Sequence, residues 1–249
     1  MPPFQIKICG VTSEADAIFA CQQGADAIGL NFYDRSSRFV DLDTAHAIVG
    51  AIRDQNSGLA AETQLIGVFV NASVADMVRT AESLGLDFMQ LHGDEEPSIV
   101  PALRQALGAS KLKCSLIRAI RCKPAERDTS NEDNLNADDE KARVEASMLK
   151  WVKSGVDMVL LDASVPGEFG GTGQAVDWAT VATIKCDVPL VLAGGLTPEN
   201  VEEAISISKS KSVDVASGVE SRPGAKDKKK VEAFVEAANS AFGRQSGFG

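Results

Sequence analysis

Long apolar runs, aromatic rings, histidines and paired cysteines are all scarce in this chain, and each scarcity excludes something. No apolar stretch reaches the roughly 20 residues of a membrane span, and the opening MPPFQIKICG lacks the charged-then-apolar plan of a signal peptide. Both features predict a soluble, cytoplasmic chain. The cysteines number 5, an odd count without CxxC spacing or a neighbouring histidine pair, which argues against a disulfide framework or a zinc site. Basic charge is in deficit: the net charge is −10, whereas nucleic acid favours a basic face. An anionic small molecule stays open, because surface charge is screened over about 8 Å while backbone amides in a loop touch their ligand. Aromatics at 5% leave a core of Val, Ile, Leu and Ala within a hydrophobic content of 44%.

Glycine stands where those apolar residues end. Pro189 to Ala193 (PLVLA) runs into Gly194-Gly195-Leu196-Thr197, and Val213 to Ala216 (VDVA) runs into Ser217-Gly218-Val219-Glu220. Glycine lets bare N–H groups approach an anion, and a helix opening nearby aims its positive end at the same point. This is the pattern of a phosphate cradle. In an eight-stranded α/β barrel the loops after strands 7 and 8, with a short extra helix, commonly build that site.

The hydrophobic period alternates from strand-like to helix-like along the whole chain. Candidate strands are Phe4 to Cys9, Asp26 to Phe32, Gln64 to Val70, Asp87 to Leu91, Lys111 to Ile120, Val156 to Leu161, Val188 to Ala193 and Val213 to Ala216. Val74, Met77, Val78, Ala81 and Leu84 follow helical spacing up to Gly85, and Val231, Phe234, Val235, Ala238 and Phe242 share the face of a last helix. Thr197-Pro198 predicts a helix starting directly after the Gly194-Gly195 turn. Near-continuous apolar strands alternating with helices imply a parallel sheet covered by helices. At 249 residues, one (β/α)8 barrel, which takes about 250, would use the chain as a single domain. A polar insertion after strand 5, about 122–145, carries eight acids against three bases between Glu126 and Glu145. It predicts a solvated excursion, with helix resuming near Asp138 and running to Ser154.

Reactive residues matter most where barrel strands end. Strand 1 ends at Cys9, before Gly10, and strand 6 ends at Asp162. A lone buried cysteine is commonly inert and a lone aspartate after a strand commonly caps a helix. Together at one mouth they become a candidate base and acid. Gln90 and His92 flank Leu91 on one side of strand 4, and Arg38 lies in the loop after strand 2, where it could clamp a carboxylate. His46 belongs to the surface of the second helix. Gly170-Gly171-Thr172-Gly173 adds a third glycine loop. Residues alone therefore reach a phosphate-binding barrel with a possible thiol and carboxylate pair, either an enzyme on a phosphosugar or a barrel that only binds a phosphometabolite.

Six blocks then match one family: KICG at Lys7 to Gly10, GADAIGLNFY at Gly24 to Tyr33, QLHGDE at Gln90 to Glu95, LLDA with GGTG from Leu160 to Gly173, AGGLTPENV at Ala193 to Val201, and VDVASGVES with PGAKD from Val213 to Asp227. In order and over nearly the whole chain they resemble phosphoribosylanthranilate isomerase of tryptophan biosynthesis. The resemblance implies an Amadori rearrangement without cofactor or metal, Asp162 as the general acid that opens the ribose ring, and Cys9 as the general base at C2. It places Arg38 near the anthranilate carboxylate, and the amides around Gly171, Gly173, Gly194, Gly195, Ser217, Gly218 and Val219 on the phosphate. Gln90 and Asp214 would line the mouth, beside His92, which is either a ligand-side hydrogen bonder or a structural histidine. Where the family commonly has proline before this arginine, Ser37 stands here, which predicts a less rigid loop. The implied partner is one small phosphorylated molecule, with the chain a monomer or homodimer. Indole-glycerol-phosphate synthase and the histidine-pathway aminoketose isomerase share the cradle but not a cysteine at the position of Cys9.

Overall fold

A computed structural model describes residues 2–56, 63–122, 134–163 and 177–243. Eight strands close a barrel in chain order: β1 Ile6–Cys9, β2 Ala27–Asn31, β3 Gln64–Phe69, β4 Phe88–Leu91, β5 Ser115–Cys122, β6 Met158–Ala163, β7 Leu190–Leu192 and β8 Val213–Val215. Every neighbouring pair is parallel, and β1 closes the ring on β8 with Lys7 opposite Asp214. The outer layer is α1 Glu14–Gln23, α2 Leu42–Asn56, α3 Val74–Leu84, α4 Ile99–Ser110, α5 Asn134–Ser154, α6 Trp178–Thr183, α7 Val201–Ser208 and α8 Lys228–Phe242.

Period-2 alternation sorts each strand into two environments. Ile6 and Ile8, Met89 and Leu91, Val159 and Leu161, and Val213 and Val215 turn outward into the layer shared with the helices. The inward set begins apolar, with Phe4, Ile66, Phe88, Ile117, Met158 and Val191 in one cluster. Phe4 meets Phe88 edge-to-face at 5.7 Å, an arrangement that contributes about 1 kcal/mol beyond the area it buries. Toward the strand ends the inward positions become polar: Lys7, Gln90, Asp162 and Asp214 are all buried. Water is excluded below, so polar chemistry collects at the upper end.

Local signals act largely as expected. The Ser73 side chain accepts from the Asp76 N–H to start α3, and Gly85 ends that helix at φ 62 with Met77, Val78, Ala81 and Leu84 buried. In α8, Val231, Phe234, Val235 and Ala238 are buried as their spacing predicts.

Several strand ends move by one or two residues, and four further differences stand out. Lys111 is not in a strand: it closes α4 with a left-handed φ of 56, so β5 starts at Ser115 and runs past Ile120 to Cys122. Strand β6 extends one residue beyond Asp162, to Ala163. Helix α5 starts at Asn134 rather than near Asp138. Thr197 does not cap α7, which begins at Val201: the Asn200 side chain binds the Thr197 N–H at 2.8 Å and the Gly195 carbonyl at 2.9 Å, holding a turn ahead of the helix. The sequence also left unmarked a hairpin after β8. A single 3₁₀ turn, Ser217–Val219, leads into antiparallel β9 Glu220–Arg222 and β10 Ala225–Lys226. Part of the polar insertion, residues 123–133, lies outside the described residues.

Candidate active site

One cleft at the C-terminal ends of the strands is lined by Cys9, Asn31, Arg38, His92, Asp162 and Asp214 together with Gly194, Gly195, Ser217 and Gly218. The thiol, the carboxylate and two of the glycine loops expected from the sequence thus share a single opening. His46 is elsewhere, exposed on α2 and bonded to Ser83 at 2.8 Å. Gly171 and Gly173 lie outside the described residues.

The sulfur of Cys9 stands over an ammonium that sequence reasoning missed. Lys7, two residues earlier on the same face of β1, is fully buried, and its Nζ reaches Cys9 Sγ at 3.3 Å, Gln90 Oε1 at 2.8 Å and Asp214 Oδ2 at 3.1 Å. Three donors meet three acceptors, which a buried cation requires. Burial opposes the Lys7 charge, but Asp214 and Cys9 outweigh it and its pKa lies above the ordinary value. Removing one partner of such a pair costs about 3–5 kcal/mol, since it leaves a charge alone in the barrel. Asp214 keeps a raised pKa, burial exceeding the opposing pull of Lys7. Its second oxygen, Oδ1, has no hydrogen-bond partner among the described residues and is placed to accept from a ligand.

Burial also pushes the Cys9 thiol up, and Asp214 adds to this; the Lys7 and Lys226 charges pull it down without prevailing. Burial thus favours the thiol over the thiolate that a base needs.

From Lys7 the hydrogen bonds continue across the barrel. Gln90 is wholly buried, beneath the cleft rather than in its lining, with its amide spent on Lys7 and, at 2.8 Å, on His92 Nδ1. His92 Nε2 lies 3.2 Å from Asp162 Oδ2. Cys9 and Asp162 are thus the two ends of one buried polar chain.

A neighbouring wall, between β6 and β1 in the ring, is built from backbone. A Cβ on Gly218 would lie 1.9 Å from the Leu196 carbonyl oxygen, so only glycine lets the loop after β8 press against the loop after β7. Gly194 and Gly195 make the turn with φ of 83 and 66. The Val219 side chain is fully buried beneath the 3₁₀ turn.

Arg38 reaches this wall through a carboxylate. Its Nε and Nη2 donate to Glu220 Oε1 at 2.8 Å and Oε2 at 2.9 Å, and Lys226 Nζ donates to the same Oε1 at 2.9 Å. One edge of the guanidinium fork is therefore occupied internally; among the described residues both Nη1 hydrogens and the second Nη2 hydrogen stay open to a ligand. Gly10, at φ 68, supplies the clearance: a Cβ there would sit 2.4 Å from Arg38 Cδ. The loop is braced despite Ser37, because the Ser36 hydroxyl accepts from Arg38 N–H at 3.1 Å and from Asn31 Nδ2 at 3.2 Å. Glu220 carries a lowered pKa: burial would raise it, but Arg38 and Lys226 together prevail.

With this geometry in hand, similarity to known proteins becomes specific. The profile of the N-(5'-phosphoribosyl)anthranilate (PRA) isomerase family matches residues 6–131 and 136–237. An N-(5'-phosphoribosyl)anthranilate isomerase of Myxococcus xanthus is 39% identical over 238 residues, covering 95% of this chain and 96% of its own. The crystal structure of the phosphoribosyl anthranilate isomerase of Thermotoga maritima superposes with a TM-score of 0.74 at 28% identity, over 95% of this chain and 99% of that one. A phosphoribosyl anthranilate isomerase in complex with reduced 1-(o-carboxyphenylamino)-1-deoxyribulose 5-phosphate superposes with a TM-score of 0.69 at 28% identity, over the same shares. The chain belongs to the N-(5'-phosphoribosyl)anthranilate isomerase family.

Proposed function

We propose that this chain isomerises N-(5'-phosphoribosyl)anthranilate to 1-(o-carboxyphenylamino)-1-deoxyribulose 5-phosphate in tryptophan biosynthesis, with Asp162 as general acid and Cys9 as general base. The observation that carries the reading is the convergence of both groups on one cleft whose remaining wall is two glycine loops. Asp162 gives its proton to the ring oxygen while the C1–O bond breaks, and the nitrogen lone pair closes a C1=N iminium. Cys9 then takes the C2 proton, and the C–H electrons form the C1=C2 bond of a neutral enolamine. The C2 enol proton is lost and C1 gains one, which yields the ketone. Atoms and electrons balance within the substrate, and its own nitrogen is the electron sink.

The raised thiol pKa fits this order of events. An iminium forming beside Cys9 is a positive charge next to a group held neutral by burial, and it draws the thiol toward thiolate only after the ring has opened. Asp214 Oδ1 is the acceptor for a sugar hydroxyl, Arg38 Nη1 the donor to the anthranilate carboxylate, and the amides about Gly195 and Gly218 the phosphate donors.

Purified protein added to freshly made phosphoribosylanthranilate tests the reading through the substrate's fluorescence. Fluorescence should decay at a rate proportional to protein concentration. A single quench of binding amplitude, with no continuing decay, would leave only a phosphometabolite-binding barrel.

A further inference from the structure

Resting on the reading of Asp162 as the acid, we propose that Lys7 is a positioning residue: through the Gln90 amide it fixes the proton of His92 on Nε2 and so determines which oxygen of Asp162 can carry the acidic proton. The argument uses only donor and acceptor chemistry. An ammonium has donors and no acceptor, so the Gln90 group facing Lys7 Nζ at 2.8 Å must be its carbonyl oxygen; a reversed amide would set NH₂ against NH₃⁺. The Gln90 NH₂ is thereby turned to His92 Nδ1 at 2.8 Å. A ring nitrogen that accepts from NH₂ carries no proton itself, so the hydrogen of the imidazole sits on Nε2. From there it donates to Asp162 Oδ2, 3.2 Å away. A proton on Oδ2 would face that N–H head-on. When Asp162 is protonated, its hydrogen is therefore on Oδ1, the oxygen not engaged by His92.

One buried charge thus gives a direction to every bond between the base and the acid. Lys7 can do this because it cannot turn around: Asp214 and Cys9 hold its other two hydrogens. Neither Lys7 nor Gln90 lines the cleft; Gln90 acts on a substrate through His92 and Asp162, while Lys7 acts through them and also through its direct contacts to Cys9 and Asp214.

The test reads the imidazole directly. With 2 histidines in the sequence, a His46→Gln background leaves a single ring, and ¹⁵N-histidine labelling with long-range ¹H–¹⁵N correlation shows which nitrogen bears hydrogen. The expected result in the otherwise unaltered chain is Nε2 protonated and Nδ1 bare. Gln90→Glu keeps the shape and an acceptor for Lys7 but removes the N–H offered to His92; Nδ1 should then become protonated, with kcat reduced about tenfold or more and KM unchanged within about twofold. Lys7→Met frees the amide to turn and should give a mixture of the two ring forms. A proton on Nδ1 in the unaltered chain overturns the proposal whether or not any variant folds. A Gln90→Glu protein that loses turnover while Nδ1 stays bare also overturns it, since the residue would then be merely structural. Turnover by a chain with hydrogen on Nδ1 removes this inference alone; a bare Nδ1 in a chain without turnover removes the assigned function and leaves the hydrogen-bond direction standing.

Discussion

The two walls of the cleft are made of different material. At the ends of β1, β4 and β6, side chains do the work: Cys9, Lys7, Gln90, His92 and Asp162 form one chain of hydrogen bonds across the barrel, most of it sealed from water. On the side of β7 and β8 the backbone does it, through loops that approach each other only because Gly218 has no side chain. Side-chain chemistry can be lost one functional group at a time, and the loss falls on the transition state. Backbone binding is lost by displacement, and the loss falls on substrate and transition state alike. The first wall should govern kcat and the second KM.

The sharpest break is at the first wall. Cys9→Ala and Asp162→Asn should each lower kcat by on the order of 10² to 10⁴, the range for a positioned proton-transfer group, with far smaller changes in KM and an unchanged circular dichroism spectrum. Gly218→Ala follows: to relieve the 1.9 Å approach to Leu196 the loop must shift, and kcat/KM should fall about 10²-fold, mainly through KM. If steady-state kinetics put that loss in kcat, the division between walls fails. Next, Arg38→Ala should raise KM about tenfold, the loss of a charge-assisted contact made from the edge of the guanidinium that Glu220 leaves open. An unchanged KM would remove Arg38 from binding and leave it as a strut for Glu220.

The smallest effect is a pH dependence of stability. A glutamate whose folded pKa is lowered contributes stability that is complete above its ordinary value of 4.5 and is lost as pH falls through the lower folded value. Thermal unfolding followed downward from about pH 6 should show a smaller further loss of Tm below 4.5 in Glu220→Gln than in the native chain. Parallel curves would mean that the Arg38 and Lys226 contacts do not hold the Glu220 charge.

What the sequence disclosed follows from the same contrast. The barrel was legible because apolar runs and helical spacing are local, and the backbone wall because glycine after a strand has few other reasons to be there. Cys9 and Asp162 stood out by position at strand ends. Lys7 was within reach, since alternation puts it on the same face as Cys9, but a lysine in a strand reads as solvent-facing until the ring closes and Asp214 comes opposite. Arg38 and Glu220 are 182 residues apart, and no local pattern announces that one occupies the other. Lys111 and Asn200 mislead in the opposite sense. At both, the actual cap depends on backbone conformation that composition does not specify.

The central claim is that a thiol on β1 and a carboxyl on β6 address one substrate while the glycine loops between them, after β7 and β8, hold its phosphate. A crystal structure of this chain with reduced 1-(o-carboxyphenylamino)-1-deoxyribulose 5-phosphate measures it directly. The account predicts Cys9 Sγ about 3.5 Å from C2, Asp162 within hydrogen-bond reach of the C4 oxygen, and the phosphate against Gly195 and Gly218. A ligand bound with its phosphate there but with C2 turned away from Cys9, or with Asp162 directed only at His92, would contradict it.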